Sequence, residues 1–178
     1  IAGLLATVLL VDTAFALMFL AAIQEYIPRD LSGDAAIVGY TLAAFGLVKL
    51  VLQTFCGSAV DRYSARRIAI VGLALSVIAA VLMAVVRSPV AFPLLGGLYG
   101  AGSALLWPAL YAIVASSTDT SGRSQITAAL AVTTGVAVGI AVVGGSMLVD
   151  YVSGRAAVMV AASLAAAAAV LRRVDTTQ

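Results

Sequence analysis

The sequence has no histidine, a single cysteine and four prolines in 178 residues, and only 10 Lys+Arg and 8 Asp+Glu side chains carry charge. Without histidine there is no imidazole for acid/base work. With Cys56 alone there is no internal disulfide, and the usual zinc, copper and haem ligand sets cannot be assembled. No nucleophile–base pair or metal cluster suggests an enzyme, and no cofactor is expected. The net charge of +2 comes with no basic stripe, which excludes nucleic acid as a partner. Charged residues are 10% of the chain and hydrophobic ones 63%. A soluble domain runs at roughly 25% and 45–50%, and a disordered chain needs high charge and low hydropathy. With a mean hydropathy of +1.13, a multi-pass membrane protein in a lipid bilayer remains.

A helix needs about 20 mostly apolar residues to cross the hydrocarbon core. Six stretches approach this, at about 2–23, 35–56, 68–86, 91–114, 125–149 and 156–171. Residues 1–23 lack the basic start of a secretory signal, and further spans follow them. With six spans both termini share a side. Arg62, Arg66, Arg67, Arg123, Arg172 and Arg173 fall on that side, against Arg29, Arg87 and Arg155 on the other. The positive-inside rule then predicts cytoplasmic termini in a cell (inner) membrane.

Shifting the chain by 89 residues, half its length, aligns the two halves without a gap. Asp30-Leu31-Ser32-Gly33 meets Asp119-Thr120-Ser121-Gly122, Val60-Asp61 meets Val149-Asp150, and Ser64 and Arg66 meet Ser153 and Arg155. Residues 30–82 give 15 identities in 53 positions. Ala and Val richness inflates that number, but the polar matches in the loops do not come from membrane composition. Each half (about 1–89 and about 90–178) then carries three spans, and an odd number inverts the second against the first. The expected architecture is a single all-α domain over 1–178, six transmembrane helices arranged as a 3+3 inverted repeat. A duplication kept only for packing would leave the same trace.

The segment Gly57-Ser58-Ala59-Val60-Asp61-Arg62-Tyr63-Ser64-Ala65-Arg66-Arg67 resembles the loop signature of the major facilitator superfamily, G-x-x-x-D-[RK]-x-G-x-[RK]-[RK]. Gly57, Asp61, Arg62, Arg66 and Arg67 match, while Ser64 stands where the family usually has Gly. Gly100-Ala101-Gly102-Ser103 followed by Pro108 resembles the family's glycine-rich fourth helix. Gly96 replaces the arginine usually found four residues earlier, which removes the proton-coupling route some members build on it. Gly135, Gly139, Gly144 and Gly145 resemble the antiporter-type pattern of the fifth helix, with Ile140 in place of its proline. The resemblance implies half of a twelve-span transporter, with helices 1, 2, 4 and 5 around a central cavity and 3 and 6 outside. It implies that the 57–67 loop latches onto a second six-helix half. That half would come from the same protein, a second copy or a partner chain. The start at Ile1 suits a piece of a longer chain.

The polar residues inside the spans are the candidate site. Asp12 sits mid-span, where a charged side chain costs about 2.5–3.5 kcal/mol on insertion scales and marks function by default. Lys49 and Gln53 share a face of span 2 at i, i+4. At about 1.5 Å per residue, Asp12 and Lys49 differ in depth by one helical turn. They suit a substrate or proton pathway, or a structural ion pair, and Lys49 alone suits snorkelling to the membrane edge. Tyr99, Ser103, Trp107 and Tyr111 recur every four residues on span 4, as a substrate-facing stripe or as interfacial packing. Thr133 and Thr134 either reach the cavity or bond their own backbone. Gly96/Gly100 and Gly135/Gly139 read as small-xxx-small packing sites, and Cys56 as a small apolar residue. Two functions fit. The first is a transporter unit moving a small-molecule substrate by alternating access, with Asp12 as candidate proton carrier. The second is a non-transporting subunit, a scaffold or assembly factor in a larger membrane complex.

Overall fold

The computed structural model describes residues 2–117 and 120–174, apart from the side chains of 2, 4, 57–62, 117, 120, 121, 123 and 169–174. In hydrocarbon every backbone N–H and C=O must be satisfied within the chain, and long Ala/Leu/Val/Ile runs do this as helices. Six follow in order. Helix α1 (residues 2–30) begins as Ala2–Ala16 and continues through two wider π-wound stretches, Leu17–Ala22 and Tyr26–Asp30. Then come α2 (Ala35–Arg62), α3 (Ala65–Val85), α4 (Phe92–Ser117), α5 (Thr120–Tyr151) and α6 (Gly154–Val174).

The helix ends show why the chain turns where it does. Leu31 N–H and Gly33 N–H donate to Tyr26 O (3.1 Å) and Ile27 O (2.9 Å), and Ser32 takes the left-handed conformation (φ 52°) that closes α1. The Asp34 carboxylate accepts the Ala36 N–H (3.0 Å) as the N-cap of α2. Ser153 Oγ accepts the Ala156 N–H (3.1 Å) at the start of α6, and Asp30 Oδ2 accepts the neighbouring Arg155 N–H (3.2 Å). The end of α1 thereby holds the start of α6. Ser64 enters α3 at φ −58°, so its serine, where the resembled signature has glycine, meets no left-handed requirement.

Several helices outrun the apolar stretches read from sequence, and α1 reaches Asp30 instead of residue 23. Its π winding carries the chain past Gln24 and Glu25, with the exposed Glu25–Arg29 ion pair (2.7 Å) along the last turns. Among the described residues, five helical stretches are long and apolar enough to cross a membrane: Leu5–Asp30, Ala35–Cys56, Ala65–Val85, Pro89–Ser116 and Ser124–Tyr151. Gly154–Ala168 is a shorter apolar helix.

Helices α1 and α4 are the hubs. α4 packs along α2 and α3; α1 packs along α5 and α6; α3 meets α6. This pairing maps onto itself when α1 is exchanged with α4, α2 with α5, and α3 with α6. The buried side chains form two clusters. One surrounds Phe19, Met83, Phe92 and Val158, the other Val8, Ile68, Leu106 and Leu110.

Glycine permits the closest contacts. A Cβ on Gly96 would lie 2.6 Å from Thr41 O, and one on Gly100 would strike Phe45 O, so these two glycines let α4 lie against the α2 backbone. Gly72 and Gly102 do the same between α3 and α4, a Cβ on Gly72 meeting Gly102 O at 2.7 Å. Gly135 and Gly139 behave otherwise, with nothing within 4 Å of either Cβ position. Helix α5 turns Ala137, Ala141 and Gly145 towards the bundle instead, and Gly145 rests on Leu17 and Ala21 of α1. We expect Gly96→Leu and Gly100→Leu each to overpack the α2–α4 contact by about 1–3 kcal/mol. Thermal unfolding of the detergent-solubilised protein should show a lowered midpoint for both, and an unchanged midpoint would count against this contact.

Candidate functional site

The structure gathers Asp12, Lys49, Tyr99, Ser103 and Trp107, with Ser76 and Thr134, around one cavity of about 180 Å³. Asp12 of α1 is 5% exposed. Its neighbours on α1 are mostly Leu, Val and Ala, and Thr13 beside it points another way around the helix, so its carboxylate finds a partner on another helix. Thr134 of α5 supplies it, donating from Oγ1 to Asp12 Oδ2 at 2.6 Å. Thr133 bonds its own backbone at Ala129 O (2.8 Å), so adjacent threonines divide the two roles open to them.

Lys49 enters from α2. Its Nζ stands 5.5 Å from the Phe45 ring centroid, within reach of a cation–π attraction. Asp12 and Lys49 line the same cavity and interact electrostatically, yet they form no direct ion pair. Helix α4 contributes Tyr99 and Ser103, 3% and 7% exposed, together with Trp107. Neither the Tyr99 nor the Ser103 hydroxyl has a hydrogen-bond partner among the described residues.

Gln53 and Tyr111 do not line the cavity, and both are exposed. A four-residue step in an α-helix advances about 6 Å and overshoots a full turn by about 40°. Gln53 is therefore displaced along α2 from Lys49, and three steps carry Tyr111 about 120° away from Tyr99. Tyr111 instead meets the Trp107 ring at 5.8 Å.

Sequence reasoning missed an aromatic wall. Phe15 and Phe19 of α1, Phe45 of α2 and Tyr99 of α4 pack with centroids 4.9–6.2 Å apart, and Phe15, Phe45 and Tyr99 border the cavity. The signal was present, since Phe15 and Phe19 follow Asp12 at i+3 and i+7 on one face. Ser76 of α3 was missed too. Its helix was expected outside the cavity, but Ser76 lines it, because side-chain-free Gly102 lets α3 come close to α4. Ser76 Oγ also donates to Gly72 O (3.0 Å). Cys56 is buried as a small residue.

Of the 57–67 segment, the described side chains from Tyr63 to Arg67 do not line this cavity. The side chains of Gly57, Asp61 and Arg62 are outside the described residues, while Arg66 and Arg67 lie exposed on the first turn of α3. Among the described residues no three His, Cys, Asp or Glu side chains group as metal ligands.

Two comparisons bear on this arrangement. The family model of the Major Facilitator Superfamily matches residues 4–177. The chain belongs to the major facilitator superfamily. A protein of Lactococcus lactis subsp. lactis (strain IL1403), the "Multi-drug resistance efflux pump PmrA homolog", is similar at 29% identity over 123 residues. That match covers 69% of this chain and 30% of the relative, so the chain accounts for well under two thirds of the relative's length. Major facilitator proteins are membrane transporters, and the multi-pass helical chain with a polar cavity among its spans fits that family.

The Asp12–Thr134 bond ties α1 to α5 inside the membrane, where such bonds contribute about 0.6–1.7 kcal/mol. We expect Thr134→Val to lower stability by this amount, Thr134→Ser to preserve it, and Thr133→Val to leave it nearly unchanged. Unfolding curves of the three variants in detergent check the order.

Proposed function

We propose that this chain is the amino-terminal six-helix unit of a transporter that moves a small amphipathic solute by alternating access, with Asp12 as the proton-carrying group. The observation that carries the proposal is the cavity. An acid, an amine, two hydroxyls without partners among the described residues, and aromatic rings converge on it from three helices of a membrane bundle. Retaining an intramembrane carboxylate is costly, and such groups mark substrate or ion pathways. The similar Lactococcus lactis protein is described as a multidrug efflux pump, and an aromatic cavity with few fixed polar groups suits such cargo.

The 3+3 inverted repeat belongs to this proposal. Its support is the helix pairing, unchanged when the two triplets are exchanged. A second support is position: Phe45 and Lys49 face the cavity from α2, and the residues 89 places later, Thr134 and Val138, face it from α5. The termini would be cytoplasmic in a cell membrane, from the arginine distribution.

A second six-helix half is the proposed partner. Helices α2 and α5 are the least covered spans, with 6% and 17% of their apolar windows buried. Leu47, Leu50, Val51 and Phe55 stand exposed on α2, and Val132, Val136, Ile140 and Val143 on α5. The open Cβ positions of Gly39, Gly46, Gly135, Gly139 and Gly144 lie on the same two helices, where another helix can approach closely. In this proposal the loop with Gly57, Asp61, Arg62, Arg66 and Arg67 latches onto that half.

The full-length protein in vesicles should expel a lipophilic fluorescent dye when a proton gradient is imposed. Asp12→Asn should abolish the gradient-driven flux while leaving the fold intact. Trp107→Ala should raise KM by about fivefold or more with kcat little changed, the mark of lost ground-state binding. A protein that moves no solute and co-purifies stoichiometrically with a large membrane complex would instead be the scaffold.

A further inference from the structure

We infer that the solute seated in the Asp12 cavity is amphoteric, a single flat ring bearing both a basic and an acidic group. The inference rests on the transport reading above and names the chemistry of its cargo. The cavity presents a carboxylate and an amine that do not touch each other. Had the two formed a direct pair, they would neutralise one another and leave a site for a neutral or singly charged molecule. Held apart across one space, they attract each other only at a distance, and neither has a directly paired counter-charge in a medium where unpaired charges are costly. Thr134 gives Asp12 one hydrogen bond but no positive charge. The Phe45 ring gives Lys49 a cation–π contact but no anion. A solute that is only cationic meets Asp12 and is opposed by Lys49; one that is only anionic meets the reverse; a neutral one satisfies neither. A solute with both groups completes both.

The rest of the lining agrees. The hydroxyls of Tyr99 and Ser103 are buried, border the cavity and lack partners among the described residues, so they are donors and acceptors held ready for a polar solute. Phe15 and Phe45, with ring centroids 5.0 Å apart, offer faces and edges for a flat ring between the charged ends. Size sets the scale. An apolar cavity of about 150 Å³ holds one benzene, so 180 Å³ admits one ring with short substituents.

The test is calorimetric titration of the full-length protein in detergent with a defined panel. It contains 4-(aminomethyl)benzoate and 4-(2-aminoethyl)benzoate as amphoteric probes, with the methyl ester of each (basic group only) and the N-acetyl form of each (acidic group only). We expect the better amphoteric probe to bind at least tenfold more tightly than either of its single-charge derivatives. Lys49→Met should weaken it at least tenfold while its methyl ester binds as tightly or more tightly; Asp12→Asn should do the same, with the N-acetyl form binding as tightly or more tightly. Should one variant fail to fold, judged by gel filtration, the other decides. The inference is overturned if a single-charge form binds as tightly as its parent, if Lys49→Met leaves the amphoteric probe unaffected, or if no member of the panel binds. Its failure is distinct from that of the transport reading. Vesicle flux of a lipophilic dye with no amphoteric preference sinks this inference alone. Tight amphoteric binding with no flux of any solute sinks the transport reading and leaves the occupant standing.

Discussion

A carboxylate inside hydrocarbon cannot be left alone, and that constraint organises much of this molecule. Asp12 has no partner on its own helix, so a second helix has to supply one, and Thr134 does so at 2.6 Å. The contact fixes α5 against α1 at the depth of the cavity. It also leaves the other face of the carboxylate turned to the space shared with Lys49, Tyr99 and Ser103. Packing alone would have closed that space. Polar groups that need partners, and rings too large to interdigitate fully, keep it available.

Around it the bundle depends on how closely backbones approach. Water drives none of the helix association in a bilayer, so contact surface and shape decide which helices meet. Gly96 and Gly100 admit α2 to α4, and Gly72 and Gly102 admit α3 to α4. The same closeness carries Ser76 to the cavity edge. Where glycines are open instead, on α2 and α5, the chain presents broad apolar faces, which is why the proposed second half belongs there. At the far end of α1, Asp30 holds the first turn of α6 through the Arg155 N–H, a polar contact that links the two halves of the sequence at the rim of the bundle.

Much of the fold was legible because hydrocarbon imposes simple rules. Runs of apolar residues became helices near the expected positions, and the 57–67 motif and the glycines of the fourth span led to the family that the whole-chain match shows. The ends were less legible. The π-wound continuation was not read from sequence, because Gln24-Glu25-Tyr26-Ile27-Pro28 looks like the end of a span, whereas the first wide stretch, Leu17–Ala22, packs against α5 and α6. The site was legible as a set of residue types. Asp12 and Lys49 stood out because charge inside a span is expensive. Phe15, Phe45 and Ser76 did not, because aromatic and small residues are ordinary in a membrane core and carry no mark of which way they face.

Composition and spacing by themselves determined that this chain crosses a membrane as helices and that it carries an acid and an amine inside its spans. They also determined that its two halves echo each other at an interval of 89 residues. These are properties of one residue, or of residues at fixed separations along the chain, and the bilayer reads them directly. Tertiary structure alone decided that Thr134 and not Thr133 bonds Asp12, that Lys49 faces the cavity while Gln53 does not, and that an aromatic wall assembles from three helices. Those outcomes depend on the relative rotation and approach of helices far apart in sequence. That approach is set by the glycines and alanines between them, and no local pattern encodes it.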